Sequence, residues 1–279
     1  MYIITNKKVT RAIENFITKE VKNRDGSVFK TVEEKDRVFV EQFLKRFFRA
    51  FESLFDDKHF AGELFSKRLI EIDAIRFDDK DKDLFPIKFA FDDMLETCNG
   101  NLEGGLFMPI NNHGVILLDM DFINHNKVEA IHTLIHEMIH ALSLILVYEK
   151  DRAVYKCGVN RSGKTFNRLN EGVTEYLAQM VWQKMYINKT CPGVGRYYIE
   201  VQAVKKILDL FDNEEQFFKD YLSNGLLLQA QMRDIKNSQN MSLYEFVKSF
   251  DQRDFGNEKV KKLFVDGCDD FMFVQNLKK

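Results

Sequence analysis

Residues 136–140 read HEMIH. On an α-helix, positions four apart lie on one face about one turn from each other. Two imidazoles so placed can converge on a single cation, with Zn–N bonds of about 2.0–2.1 Å. Glu137 projects about 100° around the helix from His136. It therefore stands beside an ion held by the pair, where a general base for a metal-activated water is needed. Ile131, Leu134, Ile135, Met138, Ile139 and Leu142 surround the motif with apolar side chains. Two histidines and a glutamate buried together are costly unless partnered, and one metal ion satisfies all three. The competing reading is a pair of core histidines bonded to backbone or hydroxyl groups.

A catalytic site with an open coordination position needs a third protein ligand. His132 extends the stripe to 132, 136 and 140. Eight residues rise about 12 Å along a helix, too far for the outer rings to share one ion. His132 is then expected as a polar residue at the helix start or rim. His113, in a turn, has no spacing in its favour. The stronger candidate lies downstream in the run NEGVTE, 170–175. Glu171 and Glu175 are again four apart. One can bind the metal while the other accepts the ring N–H of a ligand histidine, fixing its tautomer. The two helices would pack as neighbours, with Gly172 permitting the close approach.

HEMIH followed by NEGVTEY resembles the gluzincin metallopeptidases, the thermolysin-like enzymes and zinc aminopeptidases. The resemblance covers roughly 106–180. It implies zinc bound by His136, His140 and Glu171. Glu137 would be the base and proton shuttle, and Glu175 the carboxylate behind His136. It also implies a β-hairpin before the active helix, with an edge strand along the cleft, a slot that 106–119 fits. Residues 141–170 make a longer spacer than the best-known members have. No G-x-M-E-N element for a free amino terminus appears, which counts against the aminopeptidase branch.

A second motif lies in that spacer. Residues 158–165, GVNRSGKT, fit the phosphate-loop pattern letter for letter. Such a loop needs a buried strand before it and a helix beginning at its Lys-Thr. The preceding residues, KDRAVYKC, are mostly polar, and the next convincing helix start is Asn170. Alternating strand–helix units of a parallel sheet are missing from the pattern. The expected role of 157–168 is a basic loop on the cleft rim or a solvated surface loop.

These residues need elements to position them. Three- and four-residue spacing of Val38, Phe39, Phe43, Leu44, Phe47, Phe48, Phe51, Leu54 and Phe55 predicts a helix over 33–57. A second helix is expected over 62–75 and a short one over 89–97. The breaker run NGNLEGG marks a change of texture. LFMPI and VILLD then read as a hairpin around Gly114. A buried helix is predicted over 128–148 and another from Asn170 to about Tyr186. TCPGVG is a turn, and helices follow at 197–212, 213–223, 226–236 and 242–250. The expected fold is mainly α with a small β-hairpin or sheet, α+β in class. A zincin-like core over 99–279 would follow a helical region over 1–98, or the two would form one continuous domain.

With 45% hydrophobic and 30% charged residues, the 279-residue chain reads as an ordinary globular protein. A net charge of -2 gives no reason to expect nucleic acid. The four widely spaced cysteines form no C-x-x-C pair and are expected as reduced thiols. No signal peptide or membrane span is read, so a cytoplasmic location is expected. The expected function is zinc-dependent hydrolysis of a peptide bond in a peptide or protein substrate. The oxyanion would be held by Tyr197 or Tyr198, with Tyr155 and Tyr176 as alternatives. A peptide could pair with the strand over 115–119. The alternatives are a helical regulatory or binding protein with a structural zinc and, further off, a nucleotide-binding protein through 158–165.

Overall fold

The computed structural model describes residues 6–22, 28–78, 105–110, 113–119, 126–149, 152–161, 166–195, 197–223 and 225–278. The fold is mainly α with small β-sheets. The expected helix over 89–97, Cys98 and the Lys164–Thr165 pair lie outside the described residues. By its contacts the chain divides into two compact units, Met1–Leu142 with Val181–Pro192, and Ser143–Met180 with Gly193–Lys279.

The first unit begins with helix α1 (Lys7–Thr18), whose N-terminal amides at Lys8 and Val9 donate to the Asn6 side chain. A hairpin of β1 (Glu20–Lys22) and β2 (Val28–Lys30) follows. Helices α2 (Arg37–Glu52) and α3 (Lys58–Glu71) come next. Their aromatic stripe forms the core: Phe47 stacks on Phe43 and Phe51 with ring centroids 5.8 and 5.9 Å apart, and Phe48 meets Phe65 at 5.1 Å. Val38 and Phe39, counted in that stripe from sequence, are exposed instead.

The predicted helix over 62–75 ends at Glu71. Residues 72–78 form a strand, β3 (Ile72–Asp78). Ile72 and Ile75 continue the helical spacing of Leu64, Phe65 and Leu69, so period alone could not end the helix there. The deciding partner is distant in sequence. β3 runs parallel to β5 (His113–Asp119), and β5 is antiparallel to β4 (Gly105–Ile110). The sheet order β3-β5-β4 makes β5 central and β4 an edge. The expected hairpin is present, but the strand over 115–119 is paired on both sides and has no edge to offer a peptide.

Helix α4 (Lys127–Leu142) carries the HEMIH motif and is buried over most of its circumference, with Leu134, Ile135, Met138, Ile139 and Leu142 in the core. Its C-terminus is held by a buried arginine. Arg68 on α3 donates Nε–H to the Leu142 carbonyl at 3.2 Å and pairs through Nη1 with Glu71 at 2.5 Å. A cation at the last turn meets a helix-end carbonyl and the negative end of the helix dipole. Arg68→Ala is expected to lower unfolding free energy by about 1.5–3 kcal/mol, the range for hydrogen bonds to charged groups. Urea denaturation checks this; a change under about 0.5 kcal/mol, the size of an ordinary surface substitution, contradicts the role.

The second unit opens with strands β6 (Leu144–Glu149), β7 (Arg152–Cys157) and β8 (Asn160–Arg161), an antiparallel meander. The predicted helix therefore stops at Leu142 rather than 148. A short continuous apolar run such as LILVY is ambiguous by period, and here its pairing with β7 decides for strand. Helix α5 (Asn167–Met185) follows, beginning in this unit and ending in the first. Then come α6 (Tyr198–Leu208), α7 (Glu214–Ser223), α8 (Gly225–Asp234), α9 (Leu243–Phe250) and α10 (Glu258–Lys278). A second aromatic cluster of Phe246, Phe250, Phe255, Phe264 and Phe271 joins α9 to α10, with Phe250 and Phe264 centroids 4.7 Å apart. Ser242 and Glu245 form a reciprocal capping box at the start of α9. No described helix is long and apolar enough to cross a membrane.

Candidate metal centre

His136 and His140 sit one turn apart on α4, both buried. Their Nε2 atoms are 3.1 Å apart and the ring planes are inclined at 71°. Two nitrogen ligands on one tetrahedral ion with bonds of about 2.0–2.1 Å would stand about 3.3 Å apart. A ring N–H···N bond gives a similar separation, so the histidine pair alone does not distinguish metal from hydrogen bond. A third donor makes the group one that could hold a metal. Ligand atoms of His136, His140 and Glu171 all lie within 4.8 Å of one another, the metal-capable group found among the described residues. An ion about 2 Å from each donor requires the carboxylate to move in by at most about 1.5 Å. Two neutral nitrogens and a carboxylate suit zinc and also other first-row divalent ions.

Glu137 is buried, and its Oε2 accepts the backbone N–H of Phe107 in β4 at 2.7 Å. The carboxylate is thus anchored to the edge strand of the sheet. Sequence reading supplied Glu137 but not this backbone donor, since the register of β4 against α4 leaves no local signal.

His132 is not in the metal group. It is buried rather than at the helix rim, and its ring meets Trp182 edge-on with centroids 6.0 Å apart. Trp182 in turn packs on Tyr186 at 4.3 Å, and Arg46 covers Tyr186 while its Nη2 donates to the Met185 carbonyl at 3.3 Å. His113 opens β5, and its side chain is outside the described set. Glu175 is fully buried, and its Oε1 accepts from Gln179 Nε2 at 2.9 Å. Tyr197 precedes α6 with φ of 49°, and Tyr198, the first residue of α6, is 53% exposed. Tyr155 lies in β7 and Tyr176 on α5. Burial pushes the Tyr176 phenol up, with Glu214 adding to the effect.

Gly172 stands where another helix comes close. A Cβ there would lie 2.9 Å from the backbone of Glu200 on α6. The glycine beside Glu171 thus lets α6 come close to α5.

The start of α5 is also where a phosphate loop would present its amides. Those amides are taken. The N–H groups of Phe166 and Arg168 donate to the Asp251 carboxylate, the latter at 3.3 Å. Burial pushes the Asp251 carboxyl up, while the amides of Phe166, Asn167 and Arg168 pull the other way. Arg168 also pairs with the buried Glu200 at 3.2 Å. The described part of GVNRSGKT is a hairpin turn joining β7 to β8, where a phosphate loop would join a strand to a helix. Cys157, Cys191 and Cys268 form no disulfide with one another.

A buried polar cluster flanks Glu171 on its own helix. Tyr221 on α7 is fully buried, with its hydroxyl 2.7 Å from Thr174 Oγ1, 3.0 Å from Asn170 Oδ1 and 3.2 Å from the Asn170 carbonyl. Burial drives the Tyr221 phenol well above its ordinary range, with the nearby Cys157 thiol adding to it, so the hydroxyl stays protonated and able to donate. Sequence reading missed this cluster. The spacing of Asn170 and Thr174, four apart on the face next to Glu171, was the available hint; Tyr221 lies too far along the chain to be found.

No protein-family model, no curated protein and no solved structure matches this chain.

Proposed function

We propose that the protein is a metal-dependent hydrolase that cleaves peptide bonds, with zinc held by His136, His140 and Glu171. The observation that carries this reading is the convergence of the three donors within 4.8 Å, beside a buried glutamate. When bound, the ion supplies positive charge that polarises a scissile carbonyl and acidifies a water molecule. The remaining work falls to the chain. Glu137 takes the proton from the water and delivers it to the leaving amine. The Phe107 N–H fixes one oxygen of that carboxylate, so its orientation does not have to be found during the reaction. Glu175 is the carboxylate assigned to the ring N–H of His136, and Tyr197 or Tyr198 is assigned to the developing oxyanion. An extended substrate would add along β4, the edge strand among the described residues, beyond the Phe107 N–H that Glu137 holds, rather than to the central β5.

Burial of both histidines also suits a structural ion in a helical binding protein. Catalysis separates the two readings. An assay on a complex peptide mixture, read by mass spectrometry, is expected to show new termini with the purified protein. Cleavage should vanish after chelator treatment and return on adding zinc. A protein that holds zinc yet cleaves nothing in such a mixture fits the structural ion instead.

A further inference from the structure

We infer that Tyr221 is a positioning residue for the Glu171 ligand, acting through Asn170 and Thr174. The inference rests on the metal reading above and extends it to a residue on another helix, α7. Asn170 immediately precedes the ligand and Thr174 follows it by one turn less a residue. Both are buried, and both touch the same phenol oxygen. Tyr221 O–H donates toward the side-chain and backbone oxygens of Asn170, an arrangement in which Thr174 Oγ–H donates to the Tyr221 oxygen. The helical turn bearing Glu171 is therefore pinned on both sides of the ligand. Each helical residue turns about 100°, so a small rotation of this turn sweeps the carboxylate away from a fixed point.

The phenol ring is itself seated, and the seat is the glycine that opens the phosphate-loop-like run. Gly158 has φ of +55°, and a Cβ on it would lie 2.2 Å from the Tyr221 ring and 2.6 Å from Asn170 Oδ1. Only glycine accommodates both the conformation and the ring. The turn is clamped from α8: Gly225 lies so close that its Cβ would fall 1.9 Å from the Gly158 carbonyl, and Gln229 Nε2 donates to the Val159 carbonyl at 2.8 Å. The long spacer between HEMIH and NEGVTE thus includes a support for the ligand helix.

The test compares zinc dissociation constants of the wild type, Tyr221→Phe, Thr174→Val and Glu171→Ala, by competition with a chromophoric chelator. Far-UV circular dichroism of the metal-free forms is recorded alongside. Removing a hydrogen-bonding partner behind a metal ligand typically weakens affinity about 10–100-fold. Tyr221→Phe is expected to fall in that range with an unchanged circular dichroism spectrum. Its cobalt-substituted form should show altered visible bands, which a merely structural loss would not produce. A dissociation constant within about twofold of wild type overturns the inference, since it leaves the expected range untouched. Should Tyr221→Phe fail to fold, the same criterion applies to Thr174→Val, which keeps volume and removes one end of the network. Glu171→Ala separates the failures. If it binds zinc as the wild type does, the metal reading falls; if it alone loses zinc, only the role of Tyr221 falls.

Discussion

Under the proposed function, Glu137→Gln is expected to slow peptide hydrolysis by about 10²–10⁴-fold while zinc stays bound. Glutamine keeps the shape of the side chain and an oxygen that can still accept the Phe107 N–H now held by the carboxylate at 2.7 Å. The fold and the metal ligands should therefore be undisturbed. What is lost is the ability to take and return a proton, which general acid–base catalysis values at about 10²–10⁴-fold in rate. Peptide cleavage followed by mass spectrometry, with metal content measured on the same sample, checks both halves. Cleavage at the wild-type rate would remove Glu137 from the chemistry. Loss of zinc with loss of cleavage would mean the glutamate serves the site's structure rather than the reaction.

The candidate centre was more legible than the elements around it. HEMIH and NEGVTE announce themselves because metal ligation demands fixed residue types at fixed helical spacing, each motif within about two turns. That logic is local. Excluding His132 was equally local, since helix rise forbids it, although its place under Trp182 was not foreseeable. The main helices were legible for the same reason: the phenylalanine stripe of α2 carries its own period. The failures lie where a distant partner decides. Residues 72–78 follow helical spacing yet pair with β5, and 144–149 continue an apolar helix yet pair with β7. Helices α1 and α10 were not foreseen. The function of Gly158 was hidden by a coincidence of letters. Its run matches a nucleotide motif, whereas the fold uses it to seat Tyr221 and gives the amides at the start of α5 to Asp251. Neither partner is near in sequence.

The second large effect concerns Glu171, the donor on which the centre depends. Two histidines one turn apart can bind a cation weakly, or simply bond to each other at the 3.1 Å observed. In the proposed centre the carboxylate would add a negative charge and the third coordination bond of an open tetrahedral site. Structural and catalytic zinc sites bind strongly enough that purified protein carries the ion, with apparent free energies of about 10–16 kcal/mol for the tightest structural cases. Losing one ligand of three removes most of that retention. The direct measurement is elemental analysis of wild-type and Glu171→Ala protein, each dialysed under identical conditions. One zinc per chain in the wild type and nearly none in the variant is the expected result. Equal zinc in both, or none in the wild type after purification with zinc present, would contradict the three-residue centre.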